Sequence, residues 1–288
     1  MMLILRGLDV EKFKQGQSAV WGQGDYRQLS RILRPAAEAL SDGCAVSAGQ
    51  EVLDVAAGDG NFALAAAREG AAVVASDISP GMVERGRERA RDEGYDVEWL
   101  VADVEELPFE DGRFDCVGSV FGAMIAPRPE LAARELFRVV RPGGTVGMTA
   151  WKREGFAHEM FEVGRKYAPR PEDLPGAEEW ADEATVEQRF DGLAASIDFE
   201  VRTVTWGAES PERLLELLCE SAPPNVAARQ NLPPDQYEAM RADLLELFRS
   251  RAGDAGGPVA IEAEYLQTVA RKGESRKQPA RPAARGRS

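Results

Sequence analysis

Two rhythms of apolar and polar positions alternate along this chain. Short apolar runs at Val52–Val55, Ala72–Ala75, Tyr95–Val101, Phe114–Phe121 and Thr145–Trp151 have the length and bounding turns of buried strands. Helical stretches separate them. An Ala-rich segment follows Asn61, Ser79-Pro80 opens another, and Glu130–Val140 places Leu131, Leu136, Val139 and Val140 at helical spacing. Arg141-Pro142-Gly143-Gly144 then stops that helix. Ahead of the first strand, residues 9–41 read as two helical pieces, Val10–Gln17 and Tyr26–Leu40. Beyond Trp151 the pattern predicts a helix over Phe156–Tyr167, broken by Pro169, Pro171 and Pro175. A helix over Ala184–Ile197 leads into a strand at Phe199–Trp206. Ser210 caps a helix that runs from Pro211 to Cys219. Pro223-Pro224 and Pro233-Pro234 bracket a variable region, Gln236–Arg251 is helical, and Ile261–Ala270 alternates as a last strand.

Strands that alternate with helices predict an α/β protein with a parallel sheet. A chain of 288 residues, 44% hydrophobic, supports one large elaborated domain or two small ones. No apolar run approaches a membrane span, and Met1–Leu5 is too short for a signal-peptide core. Cys44, Cys116 and Cys219 are too scattered for a disulfide framework or a zinc site, so a cytoplasmic protein with reduced thiols and no metal centre is expected. The formal charge is −14; Arg271–Ser288 carries seven basic residues against one acid, a balance of +6 that leaves −20 on the body. An acidic body is a poor partner for a nucleic-acid backbone. The tail, rich in Pro, Ala and charge, is expected to be disordered.

The chemistry gathers at strand ends. Val52-Leu53-Asp54-Val55-Ala56-Ala57-Gly58-Asp59-Gly60-Asn61 is a strand ending in an acid and a glycine-rich turn, and the next strand delivers Asp77 at its own end. Glycines let backbone approach a ligand, and an acid at the second strand suits ribose hydroxyls. Gly58-Asp59-Gly60-Asn61-Phe62-Ala63 alone also fits a dinucleotide fingerprint. The carboxylates Asp54 and Asp59 are unwelcome beside a pyrophosphate but suit a ligand with ammonium and sulfonium charges.

With Ala102-Asp103-Val104 after the third strand and the wording ADVEELPFEDGRFDCV…LFRVVRPGGTVGMTAW, residues 50–151 resemble the class I S-adenosylmethionine-dependent methyltransferases. They are similar to the small-molecule branch typified by ubiquinone/menaquinone biosynthesis. The resemblance implies a doubly wound, Rossmann-like, seven-stranded, mostly parallel sheet with an antiparallel last hairpin. It further implies an N-terminal helical cap (1–41), a cofactor-binding core (42–151), lid helices and completing strands (152–270, with lid segments near 152–183 and 207–257) and the basic tail (271–288).

S-adenosyl-L-methionine is the implied cofactor and a small organic molecule the implied acceptor, with neither nucleic acid nor membrane as partner. Asp54, Ala56, Gly58 and Gly60 would line the methionine portion; Ala56 occupies a position where glycine is usual. Asp77 would bind both ribose hydroxyls, Ile78 and Met82 would pack on adenine or ribose, and Asp103 with the Val104 N–H would read adenine. Val120 and Phe121 would flank the methionine. Tyr26, in Trp21-Gly22-Gln23-Gly24-Asp25-Tyr26, would cover the cleft, or staple the N-terminal helices to the sheet. Asp59 and Asn61 read as turn residues. Methyl transfer from a sulfonium is an in-line displacement whose leaving group needs no proton, so orientation carries much of the catalysis. His158, the only histidine, is a candidate base or a surface residue. Two other readings stay open at this point: a methyltransferase-fold binding or regulatory module without turnover, and an NAD(P)-dependent oxidoreductase.

Overall fold

The computed structural model describes residues 9–171, 173–252 and 257–274. Its centre is a seven-stranded sheet in the order β3-β2-β1-β4-β5-β7-β6. The strands are β1 (Glu51–Val55), β2 (Ala72–Asp77), β3 (Val97–Val101), β4 (Phe114–Val120), β5 (Val140–Trp151), β6 (Ala194–Ala208) and β7 (Val259–Lys272). The first five run parallel, β7 runs antiparallel to β5 with Trp151 opposite Tyr265, and β6 runs antiparallel to β7. The class is α/β and Rossmann-like, as predicted.

Helices α3 (Asn61–Arg68), α4 (Pro80–Asp92) and α5 (Pro129–Val139) are the crossovers of the parallel half, and α1 (Val10–Trp21) and α2 (Arg27–Gly43) precede the sheet. Both sheet faces are covered, so the strands are apolar on both sides. Along β1, Val52 joins Phe62, Trp99 and Cys116 on one face, while Leu53 and Val55 join Phe114, Val117 and Phe137 on the other. The chain steps outward from β1 to β3, then returns to β4 beside β1. That reversal opens a crevice above the C-terminal ends of β1 and β4, where open α/β sheets take ligands.

α1 differs from the other helices in how it is attached. Its only buried residue is Lys14. It is tied down by hydrogen bonds from Ser18 Oγ to the Ile78 carbonyl (2.9 Å) and from Gln17 Nε2 to the Ile125 carbonyl (3.2 Å). α2, by contrast, buries the stripe Leu29, Leu33, Ala36, Ala37 and Leu40.

The second half corrects several expected boundaries. β5 begins at Val140, because a register shift between Phe114 and Cys116 absorbs Arg141–Gly144 within the strand, with Gly143 at φ 76°. The helix expected over Ala184–Ile197 is α7 (Glu183–Phe190): Gly192 at φ 70° turns the chain, and Ala194–Ile197 pairs with β7 instead. The variable region after Pro223 contains a helix, α9 (Pro223–Asn231), because proline is at home in a first helical turn. α6 (Phe156–Tyr167), α8 (Pro211–Ser221) and α10 (Pro234–Ala252) match expectation within a few residues. Ser210 Oγ accepts from Arg213 N–H at 3.2 Å as the cap of α8.

β7 continues through Arg271 and Lys272, so the tail boundary falls inside the sheet. The Lys272 ammonium donates to the carbonyls of Phe137 and Val140 at 2.6 and 2.7 Å. Residues 275–288 of the expected disordered tail lie outside the described residues. Among the described residues no helix is long and apolar enough to cross a membrane.

Candidate functional site

A cleft at the strand ends holds about 890 Å³ of atom-free space, counted to where it opens to solvent. Tyr26, Asp54, Ala56, Gly58, Asp77, Ile78, Met82, Asp103, Val104, Val120 and Phe121 all line it. Gly60 does not. A Cβ at Gly60 would lie 2.7 Å from Trp99 Cη2, and its φ is 92°, so this glycine answers to packing and turn geometry. His158 does not line the cleft either; it lies on α6 with Nε2 3.8 Å from Glu162 Oε1. Among the described residues the lining ends at Pro127, so none of those in either expected lid segment reaches it. The second acts at one remove: the α8–α9 corner meets the loop before Tyr26, where Asp25 N–H donates to the Glu220 carbonyl at 3.3 Å.

Each strand-end acid is held by backbone. Asp54 is 1% exposed and accepts from Ala63 N–H (2.8 Å) in the first turn of α3, a stabilising place for negative charge. Asp77 accepts from Gly58 N–H at 2.9 Å and Ser79 N–H at 2.8 Å. One carboxylate at the end of β2 thereby clamps both the glycine turn after β1 and the start of α4. Asp103 accepts from Glu105 N–H at 2.9 Å and lies 2.5 Å from Lys14 Nζ. Lys14 also reaches Glu105 Oε2 at 2.5 Å, and Arg128 closes on Glu105 from the other side at 2.6 Å. Asp59, read as a turn residue, lines the cleft and is paired with Ser30 Oγ and, at 3.1 Å, with Arg89.

The turn after β4 completes the wall. Ser119 Oγ donates to the Val55 carbonyl (2.8 Å) and accepts from Ala123 N–H (2.9 Å), tying β4 to β1. Ala56 and Phe121 both take positive φ, 48° and 55°. A bulky residue there is strained. Phe121 is kept in place by stacking on Trp151 (centroids 3.7 Å apart, 3° between planes) and by its N–H donating to Thr149 Oγ1 at 3.0 Å. Gly122 is required for room: a Cβ there would meet the Ala56 carbonyl oxygen at 2.2 Å.

Sequence reasoning missed Lys14, Gln17 and Ile125–Pro127 as lining residues. The two from α1 carried no motif signal, because one lysine and one glutamine on a polar helix look like a solvated face. Among the described residues Lys14 is the only cation in a lining that also holds the acids Asp54, Asp59, Asp77 and Asp103.

Burial governs the titration of these acids. It pushes Asp54 up to about 8, against the Ala63 hydrogen bond, and Asp77 up to about 6, against the Ser79 and Gly58 hydrogen bonds. Burial, and then the charges of Asp59 and Asp77, also raises the Tyr26 phenol, which therefore stays protonated as a hydrogen-bond donor. Both carboxyls hold a proton in the folded protein at pH values where the unfolded chain has released it. Their contribution to stability is accordingly complete below about pH 4 and lost as pH rises through about 6 and then 8. Between pH 5 and 8 the melting temperature of unliganded Asp54→Asn should fall less with pH than that of the wild type. Scanning calorimetry across that window checks this; equal slopes would remove Asp54 as the cause.

Comparison with known proteins follows the same lines. Residues 52–144 match the family described as "Methyltransferase domain". Two uncharacterized proteins of Mycobacterium tuberculosis are similar: one is 41% identical over 58% of this chain and 62% of its own length, the other 33% identical over 88% and 93%. The chain thus spans about 62% of the length of the first of these relatives. A demethylmenaquinone methyltransferase of Clavibacter sepedonicus is 44% identical over 34% of this chain and 40% of that protein. A putative methyltransferase from Bacillus halodurans shares the fold, with a TM-score of 0.57 and 22% identity, covering 82% of this chain and 98% of that one. The solved structure shows the same fold, and the family match places a methyltransferase domain on its parallel half. Residues 52–144 thus carry a methyltransferase domain, similar over about a third of the chain to enzymes of the ubiquinone/menaquinone-biosynthesis type.

Proposed function

We propose that the protein binds S-adenosylmethionine in this cleft and transfers its methyl group to a small or medium organic acceptor, at oxygen, carbon or nitrogen. The observation that carries the reading is the Asp77 clamp: a buried carboxylate bound to Gly58 N–H and Ser79 N–H, facing a cleft with four acids and one lysine. Such a lining fits a nucleoside that carries ammonium and sulfonium charges. With Asp59 paired to Arg89 and Asp103 to Lys14, Asp77 is the acid left without a cationic partner beside the glycine turn, and its charge disfavours a pyrophosphate there and with it the oxidoreductase reading.

Asp77 accepts the ribose hydroxyls through the lone pairs its two backbone donors leave free. Asp103, oriented by Lys14 and Glu105 N–H, accepts from the adenine amino group, and the Val104 N–H faces a ring nitrogen. Ile78 and Met82 pack against the nucleoside, Asp54 lies toward the ammonium, and Ala56, Gly58, Val120 and Phe121 line the methionine portion. Tyr26 covers it from the α1–α2 junction. When bound, the cofactor supplies an electrophilic methyl group for in-line displacement. The chain's part is to align that methyl group with the acceptor and to exclude water, by which orientation alone can remove several kcal/mol of barrier.

The supporting experiment is titration calorimetry with S-adenosylmethionine, S-adenosylhomocysteine and NADH. Binding of the two adenosyl ligands without NADH supports the reading; NADH binding alone overturns it. Screening acceptors with a labelled methyl donor then separates an enzyme from a binding module without turnover. His158→Ala should leave cofactor affinity unchanged within about twofold, because the imidazole lies outside the cleft lining. A larger loss would return His158 to the site.

A further inference from the structure

We propose that the free edge of β6 is a dimerisation surface. Two copies pair their β6 strands antiparallel about a two-fold axis at Val201 and join their sheets into one. β6 ends the sheet, with β7 as its only strand neighbour among the described residues. It is 15 residues long, whereas β3 at the opposite margin has 5. An edge strand is ordinarily guarded by brevity, proline, a bulge or unpaired charge, lysine above all. β3 has brevity. β6 has no proline or lysine between Ala194 and Ala208, and its register with β7 runs without a shift from Ser196 onward.

The exposed residues suit a second β6. Val201 is 49% exposed, and only Val101 among the large hydrophobic side chains of the described residues is more open. Thr203 and Thr205 share its face, and β-branched side chains favour strand pairing. On the other face Glu200 and Arg202 form an ion pair at 2.8 Å within the strand. Antiparallel pairing centred on Val201 sets Glu200 of each copy opposite Arg202 of the other, twice, by symmetry. Centring on Phe199 would instead oppose Asp198 to Glu200, and parallel pairing in register would stack like on like. In a chain of net charge −14, this locally compensated segment is where two copies can approach. The surface lies three strands from β4, so it leaves the cleft open and does not rest on the cofactor assignment.

Light scattering after size exclusion, with the full chain, tests this by mass. The wild type should give twice 31.3 kDa at high concentration and dissociate on dilution. Val201→Lys, Glu200→Arg and Arg202→Glu should each weaken the dimer by about tenfold or more, with melting temperatures that show the fold intact. Mixing Glu200→Arg chains with Arg202→Glu chains puts opposite charges across every pair and should restore the dimer. A wild type that is monomeric at all concentrations overturns the proposal. So does a dimer that survives Val201→Lys, an open-ended assembly, or a mixture that stays monomeric.

Discussion

Asp77→Ala should weaken S-adenosylmethionine binding by about 1.5–3 kcal/mol, the range for a hydrogen bond to a charged group. That is roughly a 10- to 150-fold rise in dissociation constant. The carboxylate contributes twice. It offers acceptors to the ribose, and it fixes Gly58 and Ser79 through their N–H groups, so its loss also loosens the glycine turn beneath the methionine portion. Asp77→Asn separates the two contributions: one amide oxygen can still accept from one backbone donor, while the charge and the second acceptor are gone. Its affinity should lie between those of wild type and Asp77→Ala. Calorimetry at pH 7.5 or above, where the wild-type carboxyl is ionised, is the measurement. An unchanged dissociation constant in Asp77→Ala would remove the ribose assignment.

Gly118→Ala should damage stability and cofactor affinity together. Gly118 lies in β4 opposite Asp54 of β1, and a Cβ there would stand 2.1 Å from Phe62 Cε1. Phe62 is 1% exposed and its ring forms part of the cleft wall, so it has no empty core to retreat into. The added methyl group must push the ring toward the cleft or spread the central strands, at a cost of about 1–3 kcal/mol. A lower urea midpoint at unchanged slope, with weaker S-adenosylmethionine binding, is the expected pair of results. A variant as stable as the wild type would show that β4 and Phe62 can move apart freely.

Strand-end chemistry was legible in the sequence because it is local. An apolar run that stops at Asp54, Asp77 or Asp103 puts the acid where a parallel sheet ends, and all three line the cleft, as do eleven of the twelve positions that the resemblance implied. Gly60 escaped because its neighbour Trp99 comes from β3, and no local pattern announces that contact. Lys14 escaped for a related reason: its partners Asp103 and Glu105 lie far along the chain. Ala194–Ile197 looked helical by composition and became strand because β7 offered a ladder, a case of long-range pairing overriding propensity. The lid segments were placed over the cleft by resemblance. In this chain the first segment packs on β5, β7 and the turn after β4, and the α8–α9 corner of the second braces the loop before Tyr26.

The roof and the floor of the cleft are held by different forces. The floor is apolar packing around the sheet, whereas α1 buries Lys14 alone and is otherwise tied by hydrogen bonds. Lifting α1 breaks the Lys14 ion pairs and uncovers only the half-buried Val10, Phe13, Val20 and Trp21, far less hydrocarbon than unfolding exposes. The heat capacity and denaturant slope, which scale with exposed area, therefore register only a small part of it. Opening of the roof is a thermally quiet event: a calorimeter tuned to unfolding would pass over it, while the rate of amide hydrogen exchange in α1 would not.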